Sequence, residues 1–194
     1  MHELSGGLVL GYHGCDRKVG EALLAGEPFH TSENVWDWLG HGIYFWEANP
    51  RRGYEFAETL RNQADKRNKV KEPFVVGVAA QLGLCLDLTT SAGVDQVRIA
   101  YEGMSAVYAA QGRDLPANHP DLLRRNLDCA VIEFIHAVRD SEQARPVDSI
   151  RGIFVEGGPV FPTSGFYDRT HVQIAIRNPD CIKGVFRVAN ALYE

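Results

Sequence analysis

Two short segments hold residue types whose spacing could do chemistry. Leu8-Val9-Leu10-Gly11-Tyr12-His13-Gly14 is an apolar run ending in an imidazole and a glycine. Gly40-His41-Gly42-Ile43-Tyr44-Phe45-Trp46 is a glycine-led run of β-branched and aromatic residues. His13 would sit at a strand end, and Gly14 would let a ligand approach its backbone N–H and C=O closely. Successive side chains of a strand point to opposite faces, so Tyr44 could share a cleft with His13. Tyr54, further along, could supply a second flat wall. Two aromatic walls beside a backbone clamp suit a planar carboxamide ligand. Taken singly, each residue also has an ordinary reading: a satisfied strand histidine, and aromatics belonging to the core.

The elements that must position them follow from periodicity and punctuation. Residues 8–13 read as a strand opening into a loop, and Asp16 as the cap of a helix to about Ala25, closed by Gly26 and Pro28. Residues 29–40 are loop-like, and 42–46 form a short strand. Asn49-Pro50 starts a helix predicted to run to about Lys69, with Tyr54, Ala57, Leu60 and Ala64 along one stripe. A valine-rich strand over 74–82 precedes a possible partner over 84–88 across Gly83. Helices are predicted over 91–110 and over 120–139, the second with the stripe Leu123, Leu127, Ala130, Val131, Phe134, Ile135 and Val138. Strands over 150–155, 171–177 and 182–188 close the chain. The order shows no steady βαβ alternation, so the fold class is α+β. Residues 157–170 form a long loop rich in Gly, Pro and aromatics, a kind of segment that is more often functional than idle.

Composition bounds the reading. A chain of 194 residues suits one domain, residues 1–194. Hydrophobic residues at 45% and charged ones at 23% are ordinary for a globular protein with a core. The formal net charge of −5 gives no global basic field for nucleic acid. The four cysteines, Cys15, Cys85, Cys129 and Cys181, lie far apart with no C-x-x-C pair, so no metal site is expected; Cys85 and Cys129 read as buried core. Without a basic leader or an apolar run near the roughly 18 residues a span requires, the expected location is the cytoplasm, with no membrane partner. No G-x-G-x-x-G follows a strand and no P-loop motif occurs, so phosphate recognition of those types is not expected.

Gly11-Tyr12-His13-Gly14 and Gly40-His41-Gly42-Ile43-Tyr44-Phe45 together resemble the ADP-ribosyltransferase superfamily, in its poly(ADP-ribose)-polymerase-like branch. Its signature is a His, a Tyr and a third polar residue on three separate strands. The resemblance implies a split antiparallel β core flanked by helices, and NAD+ as co-substrate. It implies that His13 bonds an NAD ribose hydroxyl, that Gly14 holds the nicotinamide amide through its backbone, and that Tyr44 and Tyr54 stack on the nicotinamide ring. The third residue should open a late strand after a substrate-facing loop, where Gln173 stands in His171-Val172-Gln173-Ile174-Ala175-Ile176. Many members carry glutamate there, whose charge stabilises the oxocarbenium-like transition state. Glutamine offers only a dipole. This His-Tyr-Gln variant points away from polymer elongation and towards mono-ADP-ribosylation. The motifs cover roughly residues 8–60 and the final strands; no motif is assignable over 85–145.

Glu156, in Phe154-Val155-Glu156-Gly157-Gly158, is the rival for the acidic role, since it ends a strand and enters the long loop, where a base could activate an acceptor. Ser32 and Asn34, in the segment joining the two motifs, could line the adenosine side, with Trp36 and Trp38 packed beneath. Arg51 and Arg52 could neutralise the pyrophosphate. The function implied is transfer of ADP-ribose from NAD+ to a macromolecule, protein or single-stranded nucleic acid. Phe161, Phe166, Tyr167 and Arg169 could clamp an unpaired base. A bacterial toxin or defence effector with an antitoxin or immunity partner fits by analogy. An NAD glycohydrolase and a catalytically silent NAD-binding or interaction module are the competing classes.

Overall fold

The computed structural model describes residues 2–3, 7–62 and 70–193. Its strands are β1 (His2–Glu3), β2 (Val9–Asp16), β3 (Ile43–Glu47), β4 (Pro73–Ala80), β5 (Leu84–Asp87), β6 (Ser149–Phe154), β7 (His171–Ile176) and β8 (Ile182–Arg187). Its helices are α1 (Arg17–Leu24), α2 (Pro50–Asn62), α3 (Ser91–Ala110) and α4 (Asn126–Ser141). The fold is α+β. The strands form one sheet in the order β1-β5-β6-β7-β3-β2-β4-β8. Its pairs are antiparallel except β5 with β6. Among the described residues, no helix is long and apolar enough to cross a membrane.

Local chemistry accounts for most of the boundaries. Asp16 accepts from the Lys18 backbone N–H to cap α1, and its other oxygen takes the N–H groups of Lys71 and Glu72, tying the helix start to the approach of β4. Thr90 caps α3 through the Gly93 N–H. The β2–β4 ladder is continuous from Val9–Ala80 to Asp16–Pro73. β3 instead meets β2 only at Gly11–Glu47 and Tyr12–Trp46, after which the two strands diverge. This seam divides the sheet into a five-strand half ending in β3 and a three-strand half beginning with β2.

α2, α3 and α4 cover one face of the sheet. α3 and α4 pack Met104, Val131, Ile132 and Ile135 against Leu86, Ile150 and Ala175 of the larger half. α2 lies over the smaller half, with Tyr54 among Tyr12, Val75 and Val188. The opposite face carries Ile43, Phe45, Val78, Ile174 and Ile176, with Phe29 of the segment after α1 packed on it, and α1 lies on this face too, through Leu23 against Cys15, Phe74 and Val76.

Three expectations are corrected or bounded. β5 does not pair with β4 across Gly83; it pairs in parallel with β6. Gly83 turns the chain at φ +61°, the Asp148 carboxylate takes the Leu84 N–H, and Ser149 Oγ donates to the Leu82 carbonyl, which draws the segment to β6. α4 begins at Asn126 rather than at 120. Asn118 Oδ1 accepts from the N–H groups of Leu127 and Asp128, starting the helix there and leaving Leu123 exposed in the preceding turn. α2 is described to Asn62, and its predicted continuation to Lys69 lies outside the described residues.

Candidate functional site

The seam between β2 and β3 brings the two motifs into contact. The Tyr44 carbonyl accepts from the ring Nδ1–H of His13 at 3.0 Å. A carbonyl only accepts, so this bond fixes the proton on Nδ1. The His13 ring packs edge-on to Phe29 at 5.5 Å and against Phe45 at 5.8 Å. Burial lowers its proton affinity, and the bond to Tyr44 works in the opposite direction.

Strand pleating then separates the signature side chains. Tyr44 and Phe45 point to opposite faces, and His13 is on Phe45's side. Tyr44 shares its face with Gln173, since Tyr44 pairs with Ala175 and Trp46 with Gln173 across β3 and β7. Thus His13 and Tyr44 touch through a backbone carbonyl while their side chains lie on opposite faces. The Tyr44 hydroxyl accepts the Leu39 N–H at 3.0 Å and donates to the Gly40 carbonyl at 2.8 Å. Burial and the nearby Asp37 charge push its pKa well up. The phenol therefore fastens the turn into β3.

Other candidates are placed differently from a simple nicotinamide sandwich. Tyr54 stacks on Tyr193, ring centres 5.0 Å apart, over the smaller half of the sheet, whereas Tyr44 packs with Leu39 against the α3–α4 core. The open side of Gly14 faces α2: a Cβ there would lie 1.8 Å from the Gly53 carbonyl oxygen. Ser32 bridges Gly42 by two backbone bonds and its hydroxyl accepts from Asn34 Nδ2, so both residues brace the loop before β3. Gln173 Oε1 accepts from Trp38 Nε1 at 2.6 Å. Trp38 reaches it because Gly152 opposite has no side chain; a Cβ there would come within 2.7 Å of the indole.

No protein-family model, no curated protein and no solved structure matches this chain.

On the face shared by Tyr44 and Gln173, polar groups gather around Glu156. Its Oε2 accepts from Arg52 Nη2 at 2.7 Å, and its Oε1 lies 3.9 Å from Arg169 Nη1. Arg52 also pairs with Glu55 at 2.6 Å, which places a largely buried guanidinium between two carboxylates. Glu156 and Arg169 line a cavity of about 320 Å³ with Val155, Gly157, Tyr167, Asp121 and Leu123. The segment over 157–170 is a small hairpin. Gly158 and Asp168 exchange bonds, Pro159 bridges Tyr167, and Val160 donates to Phe166, leaving Phe161, Phe166 and Tyr167 exposed.

Sequence reasoning singled out neither His171 nor Trp46, both buried on this same face. The usable signal was the two-residue period: His171, Gln173 and Ala175 alternate on β7 as Tyr44 and Trp46 do on β3.

Proposed function

We propose that this protein is an NAD+-dependent mono-ADP-ribosyltransferase built on a split β core. The observation that carries the reading is the seam: the H-G strand and the G-I-Y-F strand are neighbours that diverge just past Tyr12, joined there by the His13–Tyr44 bond. The resemblance implies a cleft between two small antiparallel sheets, and the parting of β2 from β3 supports it. Gln173 has its amide oxygen engaged by Trp38, whereas the Glu156 carboxylate lines a cavity and is oriented by Arg52. Glu156 therefore takes the acidic role, its charge offsetting the positive charge that develops at C1′ as nicotinamide leaves. Arg169 offers a cationic partner for the pyrophosphate, and the exposed aromatics of the hairpin form the acceptor side.

Incubation with NAD+ labelled in its ADP-ribose part, in the presence of cell lysate, tests the reading. Label should appear in macromolecules and nicotinamide in solution. Free ADP-ribose alone would make the protein a glycohydrolase, and intact NAD+ at millimolar concentration would refute both. Glu156→Gln should lower turnover by about a hundredfold or more.

A further inference from the structure

Four buried side-chain polar atoms have no hydrogen-bond partner among the described residues: Trp46 Nε1, Arg52 Nε, His171 Nε2 and His136 Nε2. His136 lies apart on α4. The other three belong to neighbours. The rings of Trp46 and His171 are 6.3 Å apart, and the Arg52 charge acts on His171. His171 is 5% exposed and Trp46 4%, so leaving these groups unpaired is costly.

Their chemistry is specific. Trp46 Nε1 and Arg52 Nε can only donate. The Arg169 carbonyl accepts from His171 Nδ1–H at 2.6 Å, which leaves Nε2 as a bare lone pair. Two donors and one acceptor match a hydroxyl group, which accepts two bonds and gives one. A carboxylate would set its own lone pairs against Nε2. An ammonium or guanidinium would bring only donors to a site that already has two, beside the Arg52 charge. Glu156 reaches Arg52 from the wall of the 320 Å³ cavity, so that cavity adjoins the cluster.

We infer that Trp46 and Arg52 hold the hydroxyl of the acceptor and that His171 Nε2 takes its proton, so that the acceptor is an alcohol and the product an O-linked ADP-ribose. This rests on the transferase reading above. The O–H proton passes to Nε2 as the oxygen bonds to C1′. The C1′–N bond breaks with its electron pair going to nicotinamide, cancelling the pyridinium charge. The imidazolium then releases its proton to solvent. The charged groups that act on the ring are Arg52 and Glu55 of α2 and Glu156 after β6. Burial, with Arg52, lowers the proton affinity of the ring against the opposing pull of the Arg169 carbonyl and the two carboxylates. A neutral imidazole is the form that can act as base.

The test uses the whole chain, NAD+, and methanol and methylamine as acceptor probes. The wild type should form methyl ADP-ribose from methanol and nothing from methylamine, with a rate that falls on the acid side as His171 protonates. His171→Asn keeps a donor for the Arg169 carbonyl but removes Nε2. It should lose about a hundredfold or more in rate, and with it the acid limb. Trp46→Phe keeps the ring and removes one donor, and should lose about tenfold in transfer to methanol with the KM for NAD+ unchanged. Preferential transfer to methylamine overturns the inference, as does a His171→Asn protein with the wild-type rate and pH profile; either leaves the transferase reading standing. NAD+ untouched by the wild type removes both.

Discussion

Gly14 offers a test in which a ligand role and a packing role predict different results. A Cβ on Gly14 would lie 1.8 Å from the Gly53 carbonyl oxygen and 2.7 Å from its carbon, where ordinary contact begins near 3.4 Å. The backbones must therefore part by about 1.6 Å, and neither is a flexible side-chain end. β2 cannot yield easily, because its ladder with β4 fixes it from Val9 to Asp16. Over-packing that side chains can absorb costs about 1–3 kcal/mol, so this backbone clash should sit at the top of that range or above it. For a chain of this size, ~3 kcal/mol lowers the Tm by roughly 6–12 °C. Gly53→Ala is the matched control. Its Cβ would meet nothing nearer than the Gly14 nitrogen at 3.5 Å, and alanine inside a helix should gain about 0.5–1 kcal/mol. Two glycines in mutual contact should thus give thermal shifts of opposite sign, read by far-ultraviolet circular dichroism. A Gly14→Ala protein that melts like the wild type but no longer binds NAD+ would show that the glycine is there for the ligand and would refute the packing argument.

Two further outcomes follow from titrating groups. Burial alone would raise the Asp148 pKa, but the bonds from Asn178 and Leu84, with the Arg145 charge, outweigh it and hold the carboxyl below its usual range. Its contribution is therefore present above the ordinary carboxylate pKa of about 3.9 and is lost as pH falls through the lower folded value. The stability gap between wild type and Asp148→Asn, measured in urea, should be widest at neutral pH and close in acid; a pH-independent gap would contradict this. Burial pushes the thiol of Cys15 up to about 12 and those of Cys85 and Cys129 to about 11, so a thiol reagent at neutral pH should label them only after unfolding. Rapid labelling of the native protein would place these cysteines on an accessible surface.

Legibility in the sequence followed the range of the interactions. α1 and α3 were readable because their signals are local: Asp16 and Thr90 cap the chain just ahead of them. The start of α4 was not, because Asn118 caps it across an intervening turn while Pro120 and Leu123 imitate a helical first turn. The partner of β5 depended on Asp148 and Ser149, far along the chain. At the candidate site the motifs located the neighbouring strands, but not the face of each side chain. Strand parity is set by pairing, and a one-residue difference between His13 and Tyr12 moves an imidazole from one side of the sheet to the other. The polar cluster at Trp46, Arg52 and His171 was hidden for a related reason: its members come from three elements, and each looks ordinary alone.

A sheet is commonly best protected against solvent exchange at its centre and frays at its margins. The two-position contact between β2 and β3 inverts that order. The interior line of this sheet has fewer rungs than the β2–β4 or β6–β7 ladders beside it. Opening there needs no unravelling from either edge, so amide exchange should be faster along this inner line than in the strands flanking it. The line runs between His13 and Tyr44, where one side-chain bond spans the gap. A molecule wedged between the two halves would meet the backbone's least resistance at the place where the two sequence motifs come together.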